Sequence, residues 1–144
     1  MLKNIPKILS PDTLKVLCEM GHGDTLVIAD GNFPAASIGK NAIVLRADGH
    51  SATDILDAVL TLFPLDTYVD HPVHLMQVTP GDDVQTPIWD EYKTIVTKHD
   101  QRGADAFSDI ERFAFYEQAK HAYAIIATGE SALYANLLLQ KGVI

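Results

Sequence analysis

Runs of apolar and polar residues along this chain follow two rhythms, and the switches between them mark out its elements. Ser10-Pro11-Asp12 has the form of an N-cap, a first-turn proline and a dipole-matching acid, and Gly21 supplies a stop, so the pattern predicts a helix over 11–20. Cys18 shares one face of that helix with Leu14 and Leu17 and reads as core filler. TLVIAD is short, apolar and β-branched and precedes the turn-prone GNFP, which predicts a buried strand ending at Asp30. A second such run, AIVLR, leads through ADGHS to Ser51, which can cap a helix carrying Ile55, Leu56, Val59, Leu60 and Phe63 on one side until Pro64 ends it.

VHLMQVT predicts a third strand, and TPIWDEYKTIVTKHD a helix with Thr86 as cap and Pro87 at its first position. DQRGADAFSD then reads as loop, RFAFYEQAKHA as helix and YAIIAT as another inner strand. The closing run NLLLQKGVI is too short for its period to decide, but its length and its glycine favour a strand. Strand and helix therefore alternate along most of the chain, which points to the α/β class.

At 144 residues the chain is of one-domain size, and no repeat, linker or low-complexity tract divides 1–144. Its 47% hydrophobic and 21% charged residues are those of an ordinary folded protein. The formal net charge of -8, with no Lys/Arg cluster, argues against a nucleic-acid partner. No stretch approaches the roughly 20 apolar residues of a membrane span, and Pro6 and Pro11 interrupt any signal-peptide core, so the expected address is the cytoplasm.

Several reaction classes lack their residues. One cysteine cannot build an intrachain disulfide or a thiolate cage. His71 and His74 in HPVH have near-ligand spacing, but Pro72 opposes the helix that would pair them, and no metal is expected. Neither GxGxxG, GxxxxGK[ST] nor GxSxG occurs. Acid/base chemistry remains, with candidates at element ends: His22 in MGHGD, Asp30, Arg46 and Asp48 in RADG, Asp66 in FPLDTY, and Arg112, Tyr116 and Glu117 in ERFAFYE. Each also has a structural explanation. His22 suits the negative end of a helix, Asp30 and Asp48 precede turn glycines, and Asp66 can accept backbone N–H groups after Pro64. Arg112 and Glu117 can form an exposed pair, and Tyr116 and Tyr134 can be core aromatics with one wet end.

Taken in order, MGHGD, AD with NFP, RADG, FPLDTY, ERFAFYEQAKHA, ATGE and LYANLLLQKG resemble the motifs of the L-fucose mutarotase and D-ribose pyranase family over about residues 8–143. FPLDTY, TPIWDEY and RFAFYEQAK are similar to the fucose branch, whereas Tyr134-Ala135-Asn136 looks like the ribose version of a segment that fucose mutarotases usually write Tyr-Gly-Asn. The resemblance implies a three-layer α/β/α fold around a mixed sheet, a homo-oligomer with sites near subunit boundaries, and cofactor-free exchange of sugar anomers, with L-fucose as the favoured substrate. It implies His22 as proton donor, Asp66 and Tyr116 as partners in proton transfer, and Asp30, Met76, Arg112, Tyr134, Ala135 and Asn136 as sugar contacts. D-ribose pyranase activity and a non-catalytic sugar-binding oligomer are the alternatives.

Overall fold

A computed structural model covering residues 1–144 shows one six-stranded sheet with helices on both faces. In chain order the elements are α1 (Pro11–Glu19), β1 (Thr25–Ala29), α2 (Ala35–Ile38), β2 (Ile43–Ala47), α3 (Ala52–Leu60), β3 (Val73–Met76), α4 (Pro87–His99), β4 (Phe107–Ile110), α5 (Arg112–Lys120), β5 (Ala124–Thr128) and β6 (Leu137–Gln140). The strand order is β2-β5-β1-β6-β3-β4. β6 runs antiparallel to β1 and β3, and the other pairings are parallel. The α/β class, the mixed sheet and the three layers expected above are all present.

Why these layers form is written in the alternation of buried side chains. Leu26, Ile28, Ala124, Ile126, Leu137 and Leu139 face one way and pack with Leu17, Leu56, Val59 and Tyr92 of α1, α3 and α4. Val27, Ala29, Ile125, Ala127 and Leu138 face the other way and meet Phe33, Phe115 and Ala119. Inner strands covered on both faces become continuous apolar runs, which is why TLVIA, AIIAT and LLL show little alternation.

Local signals explain most of the boundaries. The side chains of Ser10 and Ser51 accept hydrogen bonds from the Thr13 and Asp54 amides, as N-caps do. Thr86 starts α4 without such a bond, and Pro87 alone marks that end.

Three expectations need correction. Cys18 is exposed, because the buried face of α1 is centred on Thr13, Val16 and Leu17 and turns Cys18 to the open side of the helix. The third strand stops at Met76 rather than Thr79. DQRGADAFSD is not all loop: after a short 3-10 turn at Gly103–Ala106, Phe107–Ile110 adds β4 to the sheet edge. An edge strand half covered on each face needs no hydrophobic alternation, so its pairing partner, not its own pattern, defines it. No helix is long and apolar enough to cross a membrane.

Leu56→Ala, in the middle of the larger core, should cost about 2–5 kcal/mol in urea unfolding, whereas Cys18→Ala should stay within about 0.5 kcal/mol. Comparable losses from the two changes would contradict this division of α1 and α3 into buried and open faces.

Candidate active site

Because five strands run in parallel, their carboxyl ends share one edge of the sheet, and β6, running the opposite way, brings its amino end there too. That edge carries a pocket of about 280 Å³, lined by Asp30, Asn32, Phe33, Met76, Asp82, Val84, Arg112, Tyr116, Leu133, Tyr134 and Asn136. Such a volume lies just below the roughly 300–1,000 Å³ of drug-sized sites and has room for a compact molecule.

A reciprocal hydrogen-bond ring forms the floor. The Asp30 N–H donates to Asn136 Oδ1 at 2.8 Å, and Asn136 Nδ2 returns a bond to Asp30 Oδ2 at 3.0 Å. The other Asp30 oxygen accepts from the Asn32 amide at 3.0 Å. Burial pushes the Asp30 carboxyl above its ordinary value, and these donors only partly offset that push. Met76 supplies an apolar wall and touches Asn136 Nδ2 through its sulfur at 3.9 Å.

On the rim, Arg112 Nε donates to the Tyr116 hydroxyl oxygen at 3.2 Å, and the guanidinium lies 5.5 Å from the ring centroids of Phe113 and Tyr116. The bond uses a lone pair of Tyr116 and leaves its proton free for another acceptor. Glu111 caps α5 by accepting from the Phe113 and Ala114 amides, which fixes the turn that presents Arg112. Tyr134 adopts a left-handed backbone, φ 54°, unusual for a bulky residue. Its carbonyl accepts from Trp89 Nε1 at 2.8 Å.

His22 and Asp66 are paired with each other but not with this pocket. They lie beyond the amino end of β1 and beside the carboxyl end of β6, on the opposite edge of the sheet. The five residues of β1 separate the two edges by roughly 15 Å. His22 Nε2 is 3.2 Å from both Asp66 oxygens. Asp66, with its side chain only 2% exposed, also accepts from the Tyr68 amide and Gln140 Nε2, each at 2.9 Å. Burial raises the Asp66 carboxyl, but the Tyr68 amide, His22 and Gln140 together bring it below its ordinary value. An ionised Asp66 can only accept, so Nε2 carries the hydrogen and Nδ1 is left as the nitrogen with no partner in the chain.

The loop around this pair is built for it. Gly23 takes φ +84°, turning the chain so that its amide reaches the Lys141 carbonyl at 2.8 Å. Arg102, anchored on Asp100, donates to the carbonyls of Asp66 and Val69 at 2.9 Å each. A side chain on Gly142 would strike the Leu65 carbonyl oxygen at 2.6 Å and Asp66 Cα at 2.7 Å. His22 is 45% exposed beside Tyr68, whose ring centroid is 5.2 Å away.

The remaining candidates fall elsewhere. Ala135 is fully buried in the core, its amide directed at Asp30 and its carbonyl taken by the Tyr92 hydroxyl, so its methyl does not reach the pocket. Arg46 and Asp48 pair with each other on the surface near the β2 edge. Glu117 pairs with Lys120 rather than Arg112. His71 and His74 bond separately, to the Asp105 carbonyl and the Ser108 hydroxyl. Asn32, Phe33, Asp82, Val84 and Leu133 line the pocket without having been singled out from sequence. The NFP turn after Asp30 and the Pro-Gly turn after β3 were the available signals, since both follow strand carboxyl ends.

Residues 3–144 match the model of the RbsD / FucU transport protein family. The chain belongs to that family. Among RbsD / FucU relatives it is 70% identical to FucU from Bifidobacterium longum, with a TM-score of 0.98 and 99% of each chain covered. It is 47% identical, with a TM-score of 0.92 and 99% of each chain covered, to the fucose mutarotase of Streptococcus pneumoniae solved in complex with L-fucose. The human fucose mutarotase is 50% identical over 99% of this chain and 94% of that protein.

The two buried carboxylates should move acid stability in opposite directions. Asp66 is depressed below an unfolded value of about 3.9, so it stabilises the fold fully above that pH and loses its contribution as pH falls through its folded value. Asp30 is raised, so its cost is absent below about pH 3.9 and grows as pH rises through its folded value. In urea unfolding from pH 7 to 2.5, Asp66→Asn should be less stable than the parent by about 1–3 kcal/mol at pH 7, and the gap should narrow below pH 4. A gap that stays constant with pH would show that the ionised carboxylate is not what the loop requires.

Proposed function

We propose that this chain is an isomerase of the cytoplasm, an L-fucose mutarotase that interconverts the α and β anomers of the free sugar without metal or cofactor. The observation that carries this reading is a compact pocket that sets Asp30, Arg112 and Asn136 among apolar walls, in a chain 47% identical, nearly end to end, to a protein solved with L-fucose. The chemistry needs few groups. A proton goes to the ring oxygen while one leaves the anomeric hydroxyl, the C1–O5 bond breaks, and the resulting aldehyde carbon rotates before the hydroxyl adds back from the other face.

In this reading Asp30, Arg112, Tyr134 and Asn136 hold the sugar hydroxyls and Met76 its apolar face. Ala135 contributes through the backbone that sets Asn136 against Asp30. Tyr116, its oxygen occupied by Arg112 and its proton free, is a partner in proton transfer. His22 is the proton donor, oriented and charge-balanced by Asp66. Since these two lie on the far edge of the sheet, the chain works as a homo-oligomer in which one copy's His22 and Asp66 complete another copy's pocket, with residues 1–144 acting as one domain. Neither nucleic acid nor a membrane has a part in it.

The Tyr134-Ala135-Asn136 segment gives no support to ribose over fucose. Ala135 keeps an ordinary backbone, so a glycine's left-handed freedom is not required there, and its methyl points into the core.

Anomeric exchange measured by saturation-transfer NMR should be accelerated for L-fucose, and less so for D-ribose. Exchange of neither sugar would leave only a binding protein. His22→Ala should lose about 10²–10⁴-fold in rate. Mixing inactive His22→Ala protein with an inactive Asn136→Ala variant and reassembling the two should restore part of the activity, because some sites then combine an intact His22 with an intact pocket. No recovery in the mixed assembly means that the site is not shared between copies.

A further inference from the structure

The two tyrosines of the pocket are bonded in opposite senses. Tyr116 receives a hydrogen bond at its oxygen and keeps its proton available. The Tyr134 hydroxyl instead donates to the Asp82 carboxylate and accepts from the Thr79 amide at 3.3 Å. A phenol has one proton and two lone pairs, so Tyr134 retains a single lone pair and faces the pocket as an acceptor only.

This arrangement is built by a four-residue turn. The Asp82 amide donates to the Thr79 carbonyl at 3.0 Å, Pro80 occupies the second position, and Gly81 has φ +96° at the third, the backbone of a type II turn. Thr79 and Asp82 therefore stand side by side, one offering an N–H and the other a carboxylate to the same phenol oxygen. At its other end Tyr134 is held by Trp89 in a left-handed conformation that a bulky residue keeps only when its surroundings insist on it. Asp82 itself lines the pocket.

We propose that Asp82 is a positioning residue: by taking the proton of Tyr134 it commits that phenol to accepting a hydrogen bond from one hydroxyl of the bound sugar. The role rests on the sugar mutarotase reading of the site. Its effect is on ground-state and transition-state binding alike, since Tyr134 grips a hydroxyl that does not change in the reaction. Asp82 accordingly governs affinity, while proton transfer stays with His22 and Tyr116.

The test is the dependence of anomeric exchange on L-fucose concentration in four proteins: Asp82→Ala, Asp82→Asn, Tyr134→Phe and the Asp82→Ala/Tyr134→Phe double variant. Asp82→Ala should raise KM about 5–20-fold, the worth of one hydrogen bond, with kcat within about twofold of the parent. Asp82→Asn, whose amide oxygen still accepts the phenol proton, should recover most of that loss. Tyr134→Phe should raise KM as well, and in its background Asp82→Ala should add nothing further. A fall in kcat at unchanged KM, full additivity with Tyr134→Phe, or an Asn variant as impaired as the Ala variant would each overturn the role while leaving the mutarotase reading intact. Absence of exchange in the parent protein would overturn that reading and this role with it.

Discussion

Strand β6 is the constraint through which everything else is connected. It runs against its neighbours in the middle of the sheet, with Leu137, Leu138 and Leu139 buried on both faces. Just before it, Asn136 exchanges hydrogen bonds with Asp30 at one edge of the sheet; at its far end, Gln140 bonds Asp66 at the other. A four-residue strand thus ties the pocket and the histidine pair to one rigid rod, and displacing it would disturb both together. Its reversed direction is what allows this: a parallel strand would have sent the Tyr134–Asn136 segment to the wrong edge.

The two edges hold their buried carboxylates in opposite electrostatic settings. In the pocket, burial outweighs the hydrogen bonds around Asp30 and favours its neutral form more than an open carboxyl would. On the opposite edge, the Tyr68 amide, His22 and Gln140 outweigh the effect of burial at Asp66 and favour the anion. The two carboxylates meet different donors: Asp30 meets the amides of Asn32, Ala135 and Asn136, whereas Asp66 meets the Tyr68 amide, His22 and Gln140.

Several readings from sequence succeeded for reasons that are local. Ser10, Ser51, Pro11 and Pro87 fix helix starts through the backbone groups beside them, and the inner strands announce themselves because two apolar layers cover them. β4 escaped because an edge strand takes its definition from β3. Cys18 was misplaced by a face drawn through Leu14 and Leu17, when Thr13 and Val16 rotate the buried face away from it. Asp82 gave only a weak signal, a turn after a strand, since its meaning depends on Tyr134 from 52 residues further along.

By itself, the sequence determined the class of fold, most of the elements and the residue types of an acid/base site, because caps, turns and apolar runs act over a few residues. Its ordered set of motifs also carried the family. Only the tertiary structure decided which of those residues stand together. Asp30 meets Asn136, and His22 meets Asp66, through the direction of one central strand, a choice set by the packing of the whole sheet rather than by any neighbouring residue. The same packing placed the two groups on opposite edges, so candidates that look like one set along the chain are divided in space.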